Sequence, residues 1–297
     1  MRKVTKIMGL CALLVLATVS CKKSTEPVGI SFKASINDPT CEGKNYLGSD
    51  NKLRWNAGDQ VRVFVRNGNS AVFETQDEGA TVATFSGIIG ESDKYVAFYP
   101  AENCTETQDG KVKMTLSDVQ DYAPNGIADD TYPLAAVISG LSNGSSFQTR
   151  FYGPCGLLCL QMVGNAKIGK IVLEDKFELG PIKHPLAGEL VAKVDGFDPR
   201  NPKFKLPEDL TKTAITLNCM NVDGVQLTST VKRFYFVLPT YPDEYLNQFN
   251  PQVLEKGLKV TIYDTRNNVI KTMSASGDNH IIPETIRLMP VMTINAN

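Results

Sequence analysis

The stretch LRWNAGDQVRVFVR, residues 53–66, is a tight turn feeding a strand. Gly58-Asp59 supplies the turn chemistry. After it Val61, Val63 and Val65 fall on one side of a period-two ladder, with Arg62, Phe64 and Arg66 on the other. The pattern repeats outward. In ISFKASI, Ile30, Phe32, Ala34 and Ile36 oppose Ser31, Lys33 and Ser35; in KVKMTL, Val112, Met114 and Leu116 oppose Lys111, Lys113 and Thr115. RFYFVLP and LKVTIYD alternate likewise, and NGN (67–69), NGSS (143–146), VDG (222–224) and TRNN (265–268) mark turns between strands. Leu157, Leu158, Leu160, Met162 and Val163 form a nearly continuous apolar run, which predicts a central strand covered on both sides. Many short strands separated by turns specify an all-β sandwich or barrel. The best helical candidate is 242–257, interrupted by Pro251 and ended by Gly257.

The 297 residues carry 31 Lys+Arg against 32 Asp+Glu, and 42% are hydrophobic. This balance excludes a disordered acidic tail, a collagen-like rod and a basic nucleic-acid binder. The length predicts two domains, and the NGSS turn divides them into residues 28–143 and 144–297.

The N-terminus reads as a processing signal. Arg2, Lys3 and Lys6 precede eleven apolar residues, Ile7 to Ala17. As a helix these rise about 16 Å, too short for a hydrocarbon core of about 30 Å. Residues 1–20 therefore predict a secretory signal. Its ATVSC ending resembles a bacterial lipobox, with Thr18 where an aliphatic residue is usual, and assigns lipidation to Cys21. Removing three positive charges takes the net charge from −1 to −4, and residues 21–27 form a short polar tether.

The series LRWNAGDQVRVFV, AVFE, ATFSG and KYVAFYP resembles the first domain of fimbrillin-like proteins, the pilus-subunit and adhesin lipoproteins of Bacteroidales. Its marks are Trp55, Gly58 and Asp59, then Tyr95, Ala97, Tyr99 and Pro100. CGLLCLQMVGNAKIGKIVLED, LAGEL, ITLNC, GVQL, FYFVLP, LKVTIYD and IRLMPVMTI follow in the order of the second domain. The resemblance implies two tandem transthyretin-like β-sandwich domains, lipid-anchored at the outer membrane. It implies other fimbrial subunits, or host or bacterial surface molecules, as partners. It also implies assembly by strand exchange, in which a protease removes an N-terminal strand and a neighbouring subunit fills the vacated groove. Gly29–Ile36 has the character of the removable strand, and Arg54 is the arginine at which trypsin-like processing would cut. The short MTINAN ending points to a tip, accessory or non-polymerising subunit rather than a stalk subunit.

Beyond Cys11 and Cys21, five cysteines remain. Cys155 and Cys159 would sit about 13.6 Å apart on a strand, beyond disulfide reach. Buried free thiols are expected, with a bridge of Cys41 or Cys104 left open. No catalytic, phosphate-loop or metal motif appears, so neither an enzyme nor a cofactor is expected. His184 and His280 read as surface loop residues, and Asp129-Asp130 as a solvated turn. An alternative, a glycan-binding lipoprotein of a polysaccharide-uptake system, rests on Trp55, Tyr95, Tyr99 and Tyr235 as a sugar platform.

Overall fold

The computed structural model describes residues 27–41, 53–65, 69–106, 110–124, 126–139, 147–179, 182–200, 212–240, 252–277 and 279–296. The signal at 1–20, Cys21, the NGSS turn and residues 242–251 of the expected helix lie outside the described residues. From Gln252 to Gly257 the chain makes turns, not a helix.

The strands follow in chain order. The first nine are β1 Pro27–Ile36, β2 Thr40–Cys41, β3 Gln60–Val65, β4 Ser70–Thr75, β5 Val82–Gly90, β6 Lys94–Tyr99, β7 Cys104–Glu106, β8 Lys111–Leu116 and β9 Val119–Ala123. Next come β10 Gly126–Ile127, β11 Leu134–Ser139, β12 Phe147–Phe151, β13 Cys155–Gly164, β14 Lys167–Asp175, β15 Glu178–Leu179, β16 Ile182–Lys183 and β17 Gly188–Lys193. The last are β18 Ala214–Asn218, β19 Val225–Gln226, β20 Lys232–Pro239, β21 Leu258–Asp264, β22 Val269–Ala275 and β23 Thr285–Ile294.

The first sheet runs β11-β6-β3-β4-β5-β1-β12. It curls until its two edge strands meet, where Ala135 and Tyr152 exchange backbone hydrogen bonds of 2.8 and 2.9 Å. The result is a sandwich whose two faces belong to one rolled sheet, a closure that protects its edges. The alternation read from the sequence sets its inside. Phe32 and Ala34 of β1, Val61 and Val63 of β3, and Phe73 and Phe85 are all buried there. On the outside of β3 and β6, Phe64 and Phe98 are buried too, because the small sheet β17-β8-β7 covers them. Phe98 packs edge-on to Phe64 and to Phe197 at centroid distances of 5.8 and 5.2 Å.

The second half packs β10-β9-β18-β14-β21-β22, with β19 beside β14, against β2-β23-β13-β20. Here the apolar run of β13 has its expected setting. Leu157 and Cys159 face the first core, while Leu158, Leu160 and Met162 face the second. Its neighbour β20 divides the same way, with Tyr235 and Val237 on one side and Phe234, Phe236 and Leu238 on the other. One sheet is therefore the common wall of two cores. Pairing also crosses the middle of the chain, because β8 bonds to β17 and β9 to β18. At the junction the buried Gln120 amide works as a short strand of its own. Its Nε2 donates to the Val237 carbonyl at 2.8 Å, and its Oε1 accepts from the Val237 N–H at 2.9 Å. It satisfies an open sheet edge that would otherwise be buried unpaired.

Candidate functional site: the seat of the first strand

Strand β1 is an internal stave of the rolled sheet. It runs antiparallel to β5 from Pro27 through Ser35 and parallel to β12 from Phe32 through Ile36. Its inward side chains meet an aromatic cluster: Phe32 lies 5.8 Å from both Phe73 and Phe85. At the centre of that cluster sits Trp55, 1% exposed, edge-on to Phe85, Tyr99 and Phe151 at 4.9 to 5.3 Å. Its indole N–H donates to the Ala34 carbonyl at 3.0 Å, so the tryptophan grips β1 by its backbone. At the strand's end, Asn37 N–H donates to Phe151 O and the Asn37 amide to Glu284. Glu284 also accepts from Gly153 N–H at 3.0 Å, tying β1 to the loop after β12.

The remaining motif residues assemble beside Trp55. Gly58 has φ +92, the left-handed region that glycine tolerates, and its N–H donates to Thr75 O. Asp59 closes the turn by accepting from Asn56 N–H at 2.7 Å, and Tyr99 OH donates to its other oxygen at 3.3 Å. Burial raises the Asp59 pKa, as do the charges of Asp130 and Asp129, against the pull of the Asn56 and Tyr99 hydrogen bonds. Burial first, then the charges of Asp59 and Asp130, hold the Tyr99 phenol far above its usual value. Tyr99 precedes Pro100 across a cis peptide.

Arg54, the expected processing site, is exposed, and its guanidinium donates to Gly79 O at 3.1 Å. The next residue is fixed, because Trp55 and Ala80 exchange two backbone hydrogen bonds of 2.9 Å. Below Arg54 lies a cleft of about 500 Å³, between the end of β1, the β10 turn and the shared wall. Asp129 and Asp130 stand at its rim. Among the described residues no group of three or more His, Cys, Asp or Glu is arranged to hold a metal ion.

Two sequence expectations change, and the expected buried free thiols are found among the described cysteines. The sugar platform is not exposed as expected: Trp55, Tyr95, Tyr99 and Tyr235 are all buried, although Trp55, Tyr99 and Tyr235 contribute to the lining of the cleft below Arg54. His184 is not a surface residue. It is buried against Phe177, and its Nδ1 lies 2.9 Å from a carboxylate oxygen of buried Asp175. Asp175 also accepts from Phe177 and Leu254 N–H groups, so the pair is a structural knot. His280 is half-buried. Cys104, Cys155, Cys159 and Cys219 are free and buried, which disposes of a Cys104 bridge. Burial pushes the Cys104 and Cys219 thiols up to about 12 and holds Cys155 higher still.

No protein-family model matches the chain, and no curated protein matches it. Among solved structures it is similar to a candidate cell adhesion protein from Bacteroides ovatus, at 11% identity over 86% of this chain and 89% of that one, TM-score 0.50. A candidate cell adhesion protein from Bacteroides uniformis matches at 12% identity over 90% and 93% of the two chains, TM-score 0.49. The fimbrial anchor protein Mfa2 from Porphyromonas gingivalis matches at 11% over 82% and 81%, TM-score 0.31. At these identities the likeness is one of fold, carried by the first of the three, and it agrees with the fold that the motif series implies.

Proposed function

We propose that the chain is a lipid-anchored subunit or adhesin of surface fimbriae, held at the outer membrane through Cys21, which exchanges its first strand with a neighbouring subunit. It performs this role without a catalytic centre. The observation that carries the reading is the seat of β1. A strand bonded on both sides, with Phe32 and Ala34 buried, leaves an apolar groove and two unpaired edges when withdrawn. Such a groove is costly until another strand fills it. Cleavage after exposed Arg54 would separate β1 and β2 from the body while Trp55 stays behind, freeing its indole N–H for the incoming backbone. The last described strand, β23, pairs with β13 along most of its length. That commitment favours a subunit that accepts a strand over one that donates its own. The candidate cell adhesion protein from Bacteroides ovatus, which shares this architecture, supports the same role.

The test is limited digestion of the full chain with an arginine-specific protease, followed by a labelled peptide of residues 27–36. A new N-terminus at Trp55 and stable capture of the peptide by cut but not uncut protein are expected. Release of residues 27–54 without capture of any strand would refute strand exchange.

A further inference from the structure

We propose that the outer face of β12, together with the turn Phe197–Arg200, binds a sugar ring bearing a carboxylate or sulfate. Alternation along β12 puts Phe151 inside against Trp55, and so turns Arg150 outward. Tyr152 follows on that outer side, half-buried. The facing wall is the turn after β17, anchored because Phe197 is buried against Phe98. Asp198 shapes this turn by accepting the Arg200 N–H at 3.0 Å. The Arg200 guanidinium lies 5.8 Å from the Tyr152 ring centroid, a cation–π distance that orients it over the ring. Between the walls is a cleft of about 410 Å³, lined by Val137, Gln148, Arg150, Tyr152, Phe197 and Arg200 among others.

Its chemistry is mainly cationic, two guanidinium groups against the one lining carboxylate, Asp198. Neither the Arg150 nor the Arg200 guanidinium has a hydrogen bond or salt bridge to the described residues, so their donors remain available. Both nearby acids already accept hydrogen bonds from the backbone. Asp198 holds its turn, and Glu284, whose charge reaches Arg150, already accepts from Asn37 and Gly153. Two guanidinium forks call for a planar or tetrahedral anion. The other lining groups say what carries it. An apolar floor of Val137 and Phe197, an aromatic ring and the planar Gln148 amide suit the mixed CH and OH faces of a sugar. The volume falls within the range of about 300–1,000 Å³ usual for small-ligand sites. An acidic peptide would satisfy the arginines and leave the floor and the ring without a role. The site acts with β1 in its seat, so it stands whether or not the strand is exchanged.

The experiment is titration calorimetry of the full chain against four probes: oligogalacturonate, a heparin-type sulfated oligosaccharide, neutral dextran oligomers and polyglutamate. Binding to one or both charged glycans and none to dextran is expected, the preferred glycan identifying the anion. R150Q and R200Q should each weaken that binding by about tenfold, and the pair by about a hundredfold. Both arginines are exposed, so thermal unfolding should not move. R150K with R200K keeps the charge without the fork and should fall between wild type and the glutamine pair. The proposal is overturned by absence of binding to either charged glycan, by binding indifferent to the arginines, or by polyglutamate binding as tightly with the same arginine dependence.

Discussion

Replacing Trp55 by phenylalanine tests how the first strand is held. The indole donates a buried hydrogen bond of 3.0 Å to Ala34 O, and phenylalanine cannot. Leaving that carbonyl without this donor costs about 1–3 kcal/mol. The indole also makes three edge-on ring contacts, with Phe85, Tyr99 and Phe151. A smaller ring keeps part of these contacts and leaves a void, for a further cost of about 1–2 kcal/mol. The total, about 2–5 kcal/mol, falls mostly on one strand. Hydrogen exchange followed by mass spectrometry, with urea unfolding in parallel, separates local from global loss. Amides of residues 30–36 should lose protection by about thirtyfold to a few thousandfold, while those of β21 track only the global change. Equal loss of protection in β1 and β21, or a total below about 1 kcal/mol, would show that Trp55 is merely one core residue among many.

Two further outcomes follow from the geometry. Gln120→Leu keeps the size but strips both hydrogen bonds from Val237, and should cost about 2–4 kcal/mol in urea unfolding. A loss under about 1 kcal/mol would mean that water or a neighbour replaces the amide. Asp59 concerns pH: its pKa is raised in the fold above the 3.8 of the unfolded chain, first by burial and then by Asp130 and Asp129. Across that window the folded state holds more protons than the unfolded one, so this carboxyl's contribution is complete below 3.8 and fades as pH rises through the folded value. The stability of wild type relative to Asp59→Asn should therefore fall as pH rises from below 3.8 through the raised folded value; a rise would reverse the sign assigned to the site.

The alternating strands were legible because burial on one face leaves a local signature of period two, as in β1 and β8. The covered strand β13 was legible for a related reason: both of its faces are apolar. The turn at Gly58-Asp59 was also readable, and so was its kinship with Tyr99, though only through the resemblance of the motif series. What the motif could not tell is that Tyr99 OH reaches Asp59, since a contact between distant residues leaves no local pattern. His184 was misread for the same reason. Its proline-flanked setting looks like a loop, and only the fold brings Asp175 and Phe177 around it. The aromatic platform failed because an aromatic side chain reads alike whether it lines a core or a surface. Gln120 and Glu284, a polar strand residue and a loop acid, gave no signal. Their partners Val237 and Gly153 lie more than a hundred residues away. The Arg150–Arg200 cleft needed the turn after β17 to fold back on β12, which no spacing announces.

The pairing of β1 also decides how the molecule carries mechanical load. Tension entering at Pro27 runs along the strand, parallel to its axis and across its ladders to β5 and β12. Bonds loaded in that direction are sheared together, whereas a strand peeled from an edge loses them one at a time. A strand from a neighbouring subunit, lying in the same seat along the same axis, would inherit the same resistance to being pulled out.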